Sequence, residues 1–107
     1  MAQLPPYAYL TLFRAESNHS EQVEDFLRQV RHTLESHPLF DSSCMVLGPT
    51  PAPLAKRAGK YRWHLLLQTD TRPVMQKILH SAKPVIAMLP LAVKVRWSMD
   101  IEPYDLA

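Results

Sequence analysis

Val93-Lys94-Val95-Arg96-Trp97-Ser98-Met99-Asp100-Ile101-Glu102 alternates apolar and polar residues without a break, and Pro103 ends the run. Successive side chains of a strand point to opposite faces, so this pattern predicts a strand with one buried and one wet side. Tyr61 to Gln68 repeats it. Tyr61, Trp63, Leu65 and Leu67 share one parity; Arg62, His64 and Gln68 share the other, with Leu66 the exception. Two half-buried strands need a second layer over their apolar side.

The rest of the chain supplies that layer. Val23, Phe26, Leu27, Val30 and Leu34 recur at helical spacing and form one apolar stripe. Asn18 to Ser20 offers N-caps before it, Glu21 and Glu24 suit the positive helix start, and Pro38 stops it. A second stripe runs through Val74, Met75, Ile78, Leu79, Ala82, Val85, Ile86 and Leu89. Thr69-Asp70-Thr71 can cap that helix, Pro73 suits its first turn, and Pro84 is expected to kink or split it.

Leu4-Pro5-Pro6 is an extended lead-in to a strand from Tyr7 to Ala15. Apolar residues at both parities predict that this strand is central and covered on both faces. Met45 to Leu47 reads as a short strand. Gly48 to Pro53 holds three prolines, which lack ladder donors, so it belongs at an edge or in a loop. Leu54 to Lys60 reads as an exposed basic connection. The order strand, helix, strand, strand, helix, strand is a split βαβ arrangement. It predicts an α+β fold: a four-stranded antiparallel sheet with both helices on one face, as a single domain over 1–107.

Totals exclude several functions. Net charge is only +2, so overall charge does not by itself imply nucleic acid. Gly48 and Gly59 are the only glycines, and a glycine-rich phosphate loop cannot be built from them. Cys44 is the single cysteine, so no internal disulfide or CxxC metal pair exists, which suits a reducing cytoplasm. No apolar run reaches the roughly 18–20 residues of a membrane span, and no signal peptide is expected. His19, His32, His37, His64 and His80 are dispersed; His32 and His37 lack the i, i+4 spacing of a helical zinc pair. No residue set forms a catalytic constellation, and neither metal nor cofactor is expected.

If the apolar parities face the helices, Arg62, His64, Lys94 and Arg96 face outward together. Lys60 lies at the rim, with Lys56 and Arg57 beside it. Such a cluster suits phosphate neutralisation, and Tyr61, next to the turn, could stack on a base. The same charges also suit an ordinary solubilising face. Asp100 and Glu102 share the parity of Lys94 and Arg96, which favours simple ion pairing. Arg72, at the start of the second helix beside free backbone N–H groups, suits an incoming carboxylate.

Leu4-Pro5-Pro6-Tyr7, Arg14-Ala15-Glu16, Val46-Leu47-Gly48-Pro49, Pro51-Ala52-Pro53, Lys56-Arg57 and Gly59-Lys60-Tyr61-Arg62-Trp63 follow one another in order. Leu66-Leu67-Gln68, Val93-Lys94-Val95-Arg96-Trp97 and Asp100-Ile101-Glu102-Pro103 complete the set. Together they resemble the C-terminal domain of the PriA (primosomal protein N′) family of replication-restart DNA helicases. The resemblance implies a fold similar to a small-ribosomal-subunit protein. It implies help in binding branched and single-stranded DNA at stalled forks, and in docking the acidic C-terminal tail of single-stranded-DNA-binding protein, with other primosome proteins as partners of the whole helicase. It places the Gly59 to Trp63 block on the DNA side and Arg72 at the partner's tail, and leaves Trp63 and Trp97 to the core. The family's ATP-dependent 3′-to-5′ unwinding, with its ATP, magnesium and zinc, needs motifs that this sequence does not contain. The alternative is a structural domain that packs on the helicase core with little DNA contact.

Overall fold

The computed structural model describes residues 9–101, the side chains of 53–55 and 57 excepted. Its order is β1 (Tyr9–Ser17), α1 (Ser20–Glu35), β2 (Cys44–Arg57), β3 (Lys60–Thr69), α2 (Arg72–Ala87), a 3-10 turn (Pro90–Val93) and β4 (Arg96–Ile101). The strands form one antiparallel sheet in the order β2-β3-β1-β4. Both helices pack on the same side of it. This is the expected α+β, split βαβ architecture. The Leu4-Pro5-Pro6 lead-in, Tyr7, Leu54, Glu102 and Pro103 lie outside the described residues or side chains.

The core forms where the two periodicities meet. The α1 stripe of Val23, Phe26, Leu27, Val30 and Leu34 is buried as the spacing predicts, with Met75, Ile78, Leu79, Ala82 and Ile86 of α2. They close over Phe13, Ala15, Val46, Leu65 and Leu67 of the sheet. Trp63 and Trp97 pack against this cluster, and the Trp97 ring lies 5.8 Å from that of Phe26. Thr71 caps α2: its hydroxyl accepts from the Val74 N–H. α1 is entered differently. Its N-cap is His19, which makes no side-chain cap bond, and the His19 N–H donates to the Ser17 hydroxyl.

Four expectations need correction. The last strand starts at Arg96, not Val93. Pro90 opens a 3-10 turn through Val93, so Val93 is 87% exposed and Lys94 caps that turn off the sheet. Alternation in sequence cannot reveal a turn that consumes the first three residues of the pattern. Second, β2 is one long edge strand; its breaks in register fall between Leu47 and Thr50 and between Pro51 and Lys56. Its edge position is what makes the prolines tolerable. The connection is reduced to Ala58 and Gly59, both with positive φ. Third, α2 runs unbroken through Pro84 for its last residues, and Val85 is exposed. Fourth, β1 is central as expected, but its faces differ. Thr11, Phe13, Ala15 and Ser17 meet the helices, while Leu12, Arg14 and Glu16 look the other way.

Candidate nucleic-acid interface

The side of the sheet away from the helices carries the candidate site. Register fixes its layout. Glu16 of β1 stands opposite Arg62 of β3 and Arg96 of β4, and Arg14 stands opposite His64 and Ser98. These six side chains ring a hollow of about 160 Å³. Ala15, Trp63 and Trp97 also line it. Their side chains belong to the core, so they offer main chain as a floor.

Arg62 and Arg96 therefore share one face, as parity required. Among the described residues neither is ion-paired, although Glu16 lies between them. Arg14 is tied to Asp100 at 3.1 Å. The expected pairing of Asp100 with Lys94 or Arg96 is thus replaced by a bond to the neighbouring strand, which register puts within reach. Lys60 joins this side at the rim, with Glu16, Ala58 and Arg62 around a second shallow hollow.

Lys94, Lys56 and Tyr61 do not sit with them. Lys94 is off the sheet, as described. Lys56 pairs in register with Tyr61, and its ammonium lies 5.2 Å from the Tyr61 ring centroid. Tyr61 has the parity of Trp63, so this pair occupies the helix side of the hairpin. Arg57 pairs with Lys60 in the ladder, and its side chain lies outside the described ones. His64 has the expected parity, yet it is only 8% exposed and among the described residues its Nε2 has no hydrogen-bond partner. Burial pushes its pKa below the ordinary histidine value, and the charges of Arg14 and Arg62 push the same way. It is a neutral group in the floor of the face, not a cation on it.

Beyond His64 the open face turns apolar. Leu12, Leu47, Thr50, His64 and Leu66 line a hollow of about 200 Å³, and Met45 and Leu47 are about half exposed. Gly48 is what lets β2 close in here. Its φ is +105°, and a Cβ would stand 2.9 Å from the His64 carbonyl oxygen.

Arg72 lies apart from all of this. It is the first residue of α2, exposed, with its guanidinium 5.4 Å from the Tyr9 ring centroid. It borders a groove of about 670 Å³ with His37, Leu39, Pro73, Lys77 and His80 among the walls.

Sequence reasoning missed Arg14 and Glu16 as members of the face. The signal was their shared even parity in β1, masked by the apolar Leu12 at the same parity. It also missed the groove, because α2 and the segment after α1 meet only in three dimensions. Among the described residues no three metal-ligating side chains cluster, and no helix is long and apolar enough to cross a membrane.

Fold and site together define a two-layer split βαβ domain with an uncovered, arginine-bearing sheet face. Comparison with known proteins narrows that class. The family model for the primosomal protein N C-terminal domain matches residues 1–104, and the chain belongs to that family. Relatives named replication restart protein PriA include one from Haemophilus influenzae, 38% identical over 97% of this chain and 14% of its own. Another, from Buchnera aphidicola of Acyrthosiphon pisum, is 30% identical over 94% of this chain and 14% of its own. The chain thus spans about one-seventh of the length of these relatives. Among solved structures, the de novo designed protein Foldit4 superposes with a TM-score of 0.64 at 13% identity, covering 92% of this chain and 99% of its own. A hydantoinase/carbamoylase family amidase from Burkholderia ambifaria gives 0.53 at 9% identity, covering 88% and 27%. These two likenesses concern the fold alone.

Proposed function

We propose that this domain is a DNA- and partner-binding module of a replication-restart protein, with no catalysis of its own. The observation that carries the proposal is that Arg62 and Arg96 stand on one uncovered sheet face and, among the described residues, neither is neutralised by an ion pair. Each phosphate contact made there releases counterions, so single-stranded or forked DNA binds in a salt-sensitive way. Lys60 extends the cationic track toward the hairpin tip. On this reading the ATP-dependent unwinding that the family resemblance implies, with its ATP, magnesium and zinc, belongs to other segments of a longer protein.

The groove beside Arg72 suits a different ligand. Arg72 and Lys77 offer charge to a carboxylate, and Leu39 and Pro73 offer apolar wall to a side chain next to it. An acidic, carboxyl-terminated tail such as that of single-stranded-DNA-binding protein has this chemistry. A second reading, packing of the domain on the rest of a longer polypeptide, is favoured by the half-exposed Met45 and Leu47 beside the apolar hollow.

One titration separates these readings. A forked oligonucleotide and an acidic peptide are each added to wild type, Lys60→Ala/Arg62→Ala and Arg72→Ala. The double variant is expected to lose DNA affinity about tenfold in low salt, with a shallower salt slope. Arg72→Ala is expected to lose the peptide and keep the DNA. Unchanged fork binding by the double variant would sink the cationic-face proposal.

A further inference from the structure

The open face holds an acid where a cradle for phosphate alone would not. Glu16 is flanked by Arg62 and Arg96, one on each neighbouring strand, and among the described residues none of the three is ion-paired. The row across the three strands is therefore donor, acceptor, donor. A phosphodiester has only acceptors, and a carboxylate in the middle of the row repels it. Ala15, Trp63 and Trp97 also line the hollow, and His64 at its border is buried, neutral and, among the described residues, without a partner at Nε2.

A ligand that satisfies the row must present acceptor, donor, acceptor along one edge. The imide edge of thymine or uracil does so, with a carbonyl, a ring N–H and a second carbonyl. Guanine offers a carbonyl, a ring N–H and an amino group along that edge, which sets a donor against the second arginine. Cytosine puts its two acceptors side by side and its amine at one end. Adenine shows the right order only through a weak amine between ring nitrogens. Proteins read unpaired bases through such edges. The neighbouring hollow supports the same view, since Leu47 and Leu66 across His64 offer apolar contact to the face of the next base.

Resting on the nucleic-acid reading above, we propose that the Arg62–Glu16–Arg96 row takes the imide edge of an unpaired thymine or uracil. The arginines hold its acceptors, and Glu16 accepts from its ring N–H. Phosphates are left to Lys60 and the rim.

The sign of one substitution tests this. If the face binds phosphate only, Glu16→Ala removes a repulsive charge and tightens binding to every strand. If Glu16 accepts from a base, the same change weakens binding to thymine strands alone. The experiment measures fluorescence anisotropy of labelled single strands of equal length: all thymine, all adenine, all cytosine, and thymine with interspersed guanine. A fifth strand carries N3-methylthymine, which lacks the ring donor and needs no protein variant. Expected are binding about fivefold or more tighter for the all-thymine strand than for the adenine and cytosine strands, loss of that preference on N3-methylation, and its loss in Glu16→Ala. Equal affinities with tighter binding in Glu16→Ala would overturn the inference and leave the nucleic-acid reading standing. No binding of any strand in low salt would overturn both.

Discussion

The two faces of the sheet are built from alternate residues of the same strands, and they obey different rules. On β3, Leu65 and Leu67 are fully buried under the helices, while Arg62 and Gln68, of the opposite parity, face the other way and are half-buried. The covered face is fixed by packing: Phe13, Phe26, Leu27 and Ile86 have almost no accessible surface. The open face is a division of territory. One half has three arginines with Glu16 and Asp100; the other has Leu12, Leu47, Leu66 and Met45; His64 marks the border. The first face stores the stability and the second is free to vary in chemistry.

The sharpest test compares Phe26→Ala with Arg62→Ala. Phe26 is buried against Trp97, and its loss is expected to cost about 3–5 kcal/mol in denaturant unfolding. Arg62→Ala is expected to change stability by less than about 0.5 kcal/mol, as surface substitutions do. Similar costs for the two would break the distinction between the faces.

Gly48→Ala probes where the faces join. Its positive φ and the close His64 carbonyl leave no room for a Cβ. A loss of about 1–3 kcal/mol is expected, measured by the shift in denaturant midpoint. A neutral outcome would mean that β2 can relax away from β3.

The smallest effect is expected at the border. His64 is held neutral in the fold by burial and by Arg14 and Arg62, so its folded pKa lies below the unfolded value of 6.5. The unfolded chain then binds more protons on acidification. The contribution of His64 to stability is fully present above pH 6.5 and is lost as pH falls from there through the depressed folded pKa. His64→Gln should flatten the pH dependence of thermal unfolding in that window. An unchanged slope would mean that the ring titrates as it does in water.

The covered face was legible in the sequence because hydrophobic periodicity reports burial directly. Val23, Phe26, Leu27, Val30 and Leu34 read as a stripe and are one. The open face was legible only in part. Arg62 and Arg96 follow from parity, but Arg14 and Glu16 lie on a strand whose alternation is blurred by Leu12. Lys94 fits the parity of the last strand and was lost to a turn that Pro90 begins. Lys56 was counted with Arg62 because both are basic and close in sequence, yet the irregular pairing of β2 after Pro51 puts it beside Tyr61.

By itself the sequence determined the order of elements, the helix stripes and the parity of β3, because these depend on local spacing and on the preference of apolar groups for burial. Only the tertiary structure decided which charges meet. Register across β3, β1 and β4 sets Glu16 between two arginines that lie 46 and 80 residues away along the chain. It also seats His64 where the fold withdraws it from water. Cross-strand neighbours are chosen by hydrogen-bonded pairing over long loops, and no spacing along the chain encodes that choice.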